Sequence, residues 1–367
     1  MFVRSTSVAL LMLLGCSGTE GPAEVPSDAG STDVADTGVV ESGPTDGAVA
    51  DAPPLPLNTP GKYVHKLTLE GSPREFIVYV PEKARGKAVP VVFMLHGTSG
   101  DGEKFFQISH WKEKSDAEGI ISVYPSALTY CLHEDENGDG DFTDPGERHV
   151  TTKWASGQLG DPAVMPLCSA SELAALTPEN RALADHPLRD DMAFFATMLE
   201  FLGKNYGVDA KRIYATGFSN GAQMTSRLGV EMSDRFAAIA AHAGPLAFTP
   251  KPASRPLTMV FSVGNIDDRF TPSGTPIPIA ETTATIPAFK RITGDYLTAG
   301  QLVDSYVYDE PRAGLARWSY TKSAVGAKNK FLTVLIDKCT HQYPNGDNHP
   351  LVMADALWDL FKTESLP

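Results

Sequence analysis

The chain has 367 residues, 42% of them hydrophobic, four cysteines and a formal net charge of −14. Eight acids fall within residues 17–61, where there is no Lys or Arg; Arg4 adds one positive charge, and residues 62–367 keep −7. A mildly acidic body has no basic stripe with which to release phosphate counterions, which excludes nucleic acid as a partner. At about 306 residues, that body is long enough for one large domain with its own core.

Residues 1–16 hold one positive charge, then the apolar run 8–14, then Gly15-Cys16. The run is too short to span a bilayer as a permanent helix, and it reads as an export signal. Leu13-Leu-Gly-Cys16 resembles a bacterial lipoprotein cleavage box. That resemblance implies lipidation of Cys16 and a membrane-anchored lipoprotein, periplasmic or at the cell surface. An ordinary signal peptide would leave a secreted chain instead. Residues 17–61 have no aromatic side chain, and their acids are Glu20, Glu24, Asp28, Asp33, Asp36, Glu41, Asp46 and Asp51. Such a stretch cannot bury enough apolar surface to offset its ordering entropy. It is expected to be a disordered acidic linker ahead of a single domain over 62–367.

Within that domain, residues 63–69 and 74–80 alternate partly with period two and predict an antiparallel opening pair. The continuous apolar run 89–95 predicts a buried strand. Further strands are expected near 120–124, 212–216, 236–241, 257–263 and 329–337, with helical segments between them. The clearest helix carries Met192, Phe195, Leu199, Leu202 and Tyr206 on one face, after Asp190 and Asp191. That stripe is core. Residues 349–362 predict a closing C-terminal helix. The alternation predicts an α/β fold, with a mostly parallel sheet and helices on both faces.

The most informative segment is Ile213-Tyr-Ala-Thr-Gly217-Phe-Ser219-Asn220-Gly221. A serine between two glycines, at the junction of a strand and the apolar helical stretch 222–232, has the form of a nucleophile elbow. The helix dipole there favours an oxyanion. In α/β-hydrolases the acid and then the histidine follow the serine along the chain. Asp267 follows the strand 257–263 in Gly264-Asn-Ile-Asp267-Asp268 and is the expected acid, with Asp268 in reserve. His341 follows the last strand and is the expected base; His349 is its rival. His96 precedes the nucleophile and reads as a brace of the loop 96–100. The backbone amides of Thr98 and Asn220 are the expected oxyanion donors.

Three stretches carry a family resemblance: Val208-Asp-Ala-Lys-Arg-Ile-Tyr214, Gly217-Phe-Ser-Asn-Gly-Ala-Gln-Met224 and Phe236-Ala-Ala-Ile-Ala240. With His341-Gln-Tyr-Pro344, they resemble the secreted polyhydroxybutyrate depolymerase and feruloyl esterase family. The likeness runs from about Gly61 to the C-terminus, around a variable insertion over about 130–185. It implies an α/β-hydrolase fold with the insertion before the elbow, and ester hydrolysis without a catalytic cofactor. Three departures are expected to reshape the substrate pocket: Thr98 where many relatives carry Cys, Tyr343 in place of Trp, and the unmatched segment 265–301.

The insertion holds Asp135-Glu-Asn137-Gly-Asp139-Gly140-Asp141-Phe-Thr143-Asp144-Pro-Gly-Glu147. Oxygen ligands at positions 1, 3 and 5, followed by glycine at 6, match the first half of a calcium loop, although Glu147 comes one residue late. The spacing favours a structural Ca²⁺ site from Asp135, Asn137, Asp139, Asp141, Asp144 and Glu147 over a solvated acidic loop. Cys131 and Cys168 flank this region. In an oxidising compartment their pairing would close a loop of about 37 residues, worth ~3–4 kcal/mol in the chain-entropy model. Cys339 is then either a buried thiol or the true partner of one of them. Trp154 reads as packing of the insertion rather than as a pocket wall.

The chain is therefore expected to be an exported, monomeric serine esterase that meets the membrane only through its lipid. Its substrate would be a polyester oligomer or an acylated polysaccharide. A serine peptidase on the same scaffold and a non-catalytic, calcium-dependent surface-binding protein are the alternatives.

Overall fold

The computed structural model describes residues 58–367 except 136, 272 and 313. The signal segment, Cys16 and residues 17–57 of the expected linker lie outside the described residues. The packed body starts before residue 62. Asn58 is buried, donates to the carbonyls of Lys87 and Gly207, and accepts from the Gly207 amide. No helix among the described residues is long and apolar enough to cross a membrane.

The expected opening pair is β1 (Gly61–Leu69) and β2 (Ser72–Val80), paired antiparallel. The six parallel strands are β3 (Val89–Leu95), β4 (Ile121–Pro125), β7 (Val208–Phe218), β8 (Ala238–His242), β9 (Thr258–Gly264) and β12 (Phe331–Ile336). The hairpin of β10 (Tyr306–Arg312) and β11 (Leu315–Tyr320) joins β12 antiparallel, giving the sheet order β1-β2-β4-β3-β7-β8-β9-β12-β11-β10. The insertion forms a separate pair, β5 (Thr129–His133) and β6 (Arg148–Thr152), and two short helices, α3 (Ala170–Ala174) and α4 (Pro178–Ala184).

Alternate residues of the central strands face opposite ways, which fixes two cores. Val91, Phe93 and Leu95 point to the face covered by α5 (Asp191–Asn205), α6 (Asn220–Glu231) and α7 (Pro287–Gly300). Val92 and Met94 point to α1 (Gly102–Ile108), α2 (Trp111–Glu118) and α8 (Met353–Phe361). With the serine loop between β7 and α6, this is the α/β-hydrolase fold. The stripe on α5 differs from expectation. Phe195 and Leu202 are buried as predicted, but Phe194 and Met198 sit deepest beside them, while Met192 and Leu199 stay partly exposed.

Candidate active site

The loop that carries Ser219 is built on strain. Ser219 has φ 53° and ψ −121°, a left-handed conformation that costs a non-glycine residue roughly 1–3 kcal/mol. Surrounding bonds hold it there: its amide donates to the His242 carbonyl, and its carbonyl accepts from Ala222 and Gln223. The turn leaves no room beside it. A Cβ at Gly217 would lie 2.3 Å from the Gly221 carbonyl oxygen, and one at Gly221 would lie 2.3 Å from that of His96. Asn220 is the first residue of α6, so its amide is one of the helix N–H groups without an intrahelical acceptor.

Two loops at the C-terminal ends of β9 and β12 meet this serine. Their approach needs Gly264, where a Cβ would lie 1.9 Å from the Cys339 carbonyl oxygen. Asp267 is fully buried and accepts from the Arg269 amide. His341 Nδ1 lies 3.1 and 3.0 Å from the two Asp267 oxygens, and His341 Nε2 lies 3.0 Å from Ser219 Oγ. The fold thus brings Ser219, His341 and Asp267 into one hydrogen-bonded line, with the imidazole partly exposed. Asp268 is exposed beside it, its carboxylate within 4.8 Å of the His341 ligand atom. His349 is occupied elsewhere: Nε2 donates to the Asp337 carbonyl and Nδ1 accepts from Leu351.

Thr98 lies in a turn that follows β3. The Gly100 amide donates to the Gly97 carbonyl across it, and the Ser99 amide donates to Thr152 of the insertion. His96 is buried beneath this turn. Its Nδ1 donates to the Gly97 carbonyl and its Nε2 accepts from Ala127, while burial lowers its pKa to about 4. It is a neutral brace. Trp154 is fully buried, with its ring against His96 and Phe195 and its indole N–H on the His96 carbonyl. It packs the insertion and is no pocket wall.

Three features around the site take roles that the sequence does not announce, because they act through backbone groups or burial. His242 is buried behind the elbow. Its Nε2 donates to the carbonyl of Gln342, next to His341; its Nδ1 accepts from Ser262, and burial lowers its pKa to about 4. Tyr343 was expected to shape the pocket, but it is buried under the histidine loop. There its hydroxyl accepts from Trp111 and its ring meets Phe218 and His242. The third is the contact of Thr152 with the loop after β3 and of Trp154 and Ser156 with Asn220 at the elbow.

Cys131 and Cys168 form a disulfide and Cys339 is a buried free thiol, its pKa pushed up to about 12 mainly by burial. In the Asp-rich loop, the Asp135 carboxylate accepts from the amides of Gly138, Asp139 and Gly140. Asn137 donates to Asp139 and Asp144, and Asp141 accepts from Thr143. Glu147 is buried, with its amide on the Asp144 carbonyl. Among the described residues, no three carboxylates of this loop converge to within 4.8 Å. The loop as folded spends these oxygens on its own turns and does not present a ready cation cage.

Comparison with known proteins finds distant relatives. No family model matches the chain. It is 24% identical to a bifunctional acetylxylan esterase/xylanase, XynS20E, of Neocallimastix patriciarum, over 54% of this chain and 22% of that protein. It is 25% identical to feruloyl esterase B of Talaromyces funiculosus, over 46% of this chain and 36% of that protein. All of these are esterases by name. The matches thus span well under half the length of these curated relatives. Among solved structures it is similar to an acetyl xylan esterase from Aspergillus awamori, with 15% identity and a TM-score of 0.49, over 82% of this chain and 99% of that one.

Proposed function

We propose that this protein is an exported serine esterase that hydrolyses carboxylic esters on acylated polysaccharides. The observation that carries the reading is the unbroken line from Ser219 Oγ through the His341 ring to buried Asp267, on a strained elbow at a helix N-terminus. His341 takes the hydroxyl proton as Ser219 attacks the ester carbonyl, and Asp267 holds the ring in the tautomer that leaves Nε2 free to accept. The amides of Thr98 and Asn220 stabilise the tetrahedral oxyanion. His341 then protonates the leaving alcohol, and water attacks the acyl-enzyme by the same route in reverse. The residues use no cofactor in this sequence of steps.

The polysaccharide class rests on the relatives, which are named for acetylxylan and feruloyl esters. Export rests on the apolar segment with its cysteine at 16, and is supported by the Cys131–Cys168 bond, of a kind that persists in oxidising compartments. Lipidation of Cys16 and a structural Ca²⁺ in the loop 135–147 complete the proposal. The calcium rests on ligand spacing alone, and binding must draw Asp135, Asn137 and Asp141 out of their present bonds.

The test compares the full chain with Ser219→Ala and His341→Ala on p-nitrophenyl acetate, p-nitrophenyl butyrate and methyl ferulate. Each substitution is expected to lower kcat by roughly 10⁴-fold or more, as in other triads. A loss of only a few-fold would remove the triad assignment. Faster turnover of acetate or ferulate supports acylated polysaccharide, whereas preference for butyrate points to aliphatic polyesters. Amide hydrolysis without ester hydrolysis would identify a peptidase, and no Ser219-dependent turnover would favour a binding protein.

A further inference from the structure

The two amides proposed to hold the oxyanion belong to different loops, one after β3 and one after β7, so something must set the distance between them. The segment 151–156 of the insertion touches both. On the β3 side, Thr152 accepts from the Ser99 amide through its carbonyl, 3.1 Å away, and donates to the Gly100 carbonyl through its hydroxyl at 2.6 Å. The hydroxyls of Thr151 and Ser99 lie 2.8 Å apart. Ser99 has φ 63°, which a non-glycine residue keeps only when its surroundings over-determine it. These three bonds supply that constraint immediately after Thr98.

On the β7 side, the Trp154 amide donates to Asn220 Oδ1 at 2.7 Å, and Asn220 Nδ2 reaches Ser156 Oγ at 3.2 Å. The segment is itself fixed to the body. The Lys153 amide donates to Leu128, and the Ala155 amide donates at 2.7 Å to Asp191, whose other oxygen pairs with buried Arg74 at 2.6 Å. Residues 153–156 are buried, so they are poorly placed to touch substrate.

We infer that residues 151–156 form a rigid strap that spaces the two halves of the oxyanion hole, with Thr152 and the Asn220 side chain as positioning residues. The inference rests on the ester-hydrolase reading and deepens it: the insertion supports catalysis. Misplacing a reacting group by ~1 Å can cost about 100-fold in rate, so the strap acts on kcat and leaves substrate affinity alone.

The experiment uses the full chain, Thr152→Val, Thr152→Ser and Asn220→Ala. It reads kcat and KM on p-nitrophenyl acetate, inhibition by a trifluoromethyl ketone that forms the tetrahedral oxyanion, and the melting temperature. Thr152→Val is expected to lower kcat about 10-fold or more with KM within about two-fold, and to weaken the ketone in parallel. Thr152→Ser, which keeps the hydroxyl, is expected to restore both. Asn220→Ala is expected to behave like Thr152→Val, and it decides the matter if the valine variant does not fold. Wild-type kcat in both variants, a change confined to KM, or losses that follow the melting temperature without rescue by Ser would each overturn the inference while leaving the ester-hydrolase reading intact. Absence of Ser219-dependent turnover in the wild type would overturn that reading, and the inference with it.

Discussion

At the scale of residues, two adjacent carboxylates compete for one role, and burial separates them. Asp267 is fully buried with both oxygens on His341 Nδ1, whereas Asp268 is exposed and solvated. A carboxylate acting on the imidazole from a dry position fixes the tautomer; one in water is screened. Asp267→Asn is therefore expected to lower kcat by roughly 10³–10⁴-fold, and Asp268→Asn by less than about 10-fold, both read on p-nitrophenyl acetate. The reverse order would reassign the acid. Ser219, Asp267 and His341 were legible because each follows an apolar strand and the three occur in a set chain order. Their supports were not. The hydrogen bonds of His242 to Gln342 and of Thr152 to Gly100 run to backbone carbonyls, which every residue carries, so no residue type announces them.

At the scale of elements, largely apolar runs identified β3, β8 and β9, since strands buried on both faces read as near-continuous hydrophobic stretches. The hairpin of β10 and β11 escaped because Pro311 interrupts the run, and proline is tolerated there only near a sheet edge or a bulge. The insertion was legible as a disulfide-bounded unit but not as a support of the site. Its Asp-rich loop gives the clearest prediction at this scale. If Ca²⁺ binds, the loop must exchange its internal carboxylate–amide bonds for metal ligation, and binding to the folded state alone stabilises it by mass action. The melting temperature is then expected to rise between chelator and ~5 mM Ca²⁺, a concentration suited to the millimolar affinity of extracellular sites. Asp139→Ala should abolish that rise. Equal melting temperatures in chelator and Ca²⁺ would leave the loop as a hydrogen-bonded acidic turn.

At the scale of the whole molecule, the site is tied to the stability of the sheet through two neutral histidines. His96 joins the end of β3 to the segment after β4, and His242 joins the end of β8 to β9 and to the histidine loop. In each ring one nitrogen donates to a carbonyl and the other accepts from an internal donor. A second proton would therefore break the bond from the Ala127 amide to His96 and force the Ser262 hydroxyl to turn from donor to acceptor at His242. Burial accordingly lowers both pKa values to about 4, against 6.5 in the unfolded chain. Because the unfolded state takes up protons that the native state refuses, stability must fall as pH drops from about 6.5 to 4. The slope approaches ~1.4 kcal/mol per pH unit for each ring. Above that window both states are neutral and the contribution is complete. The melting temperature is expected to fall between pH 7 and pH 5, before most carboxylates titrate. His242→Gln, which cannot take up the proton, should melt lower at pH 7 yet lose less on acidification. An equal loss in the variant and the wild type would show that the acid sensitivity does not come from His242.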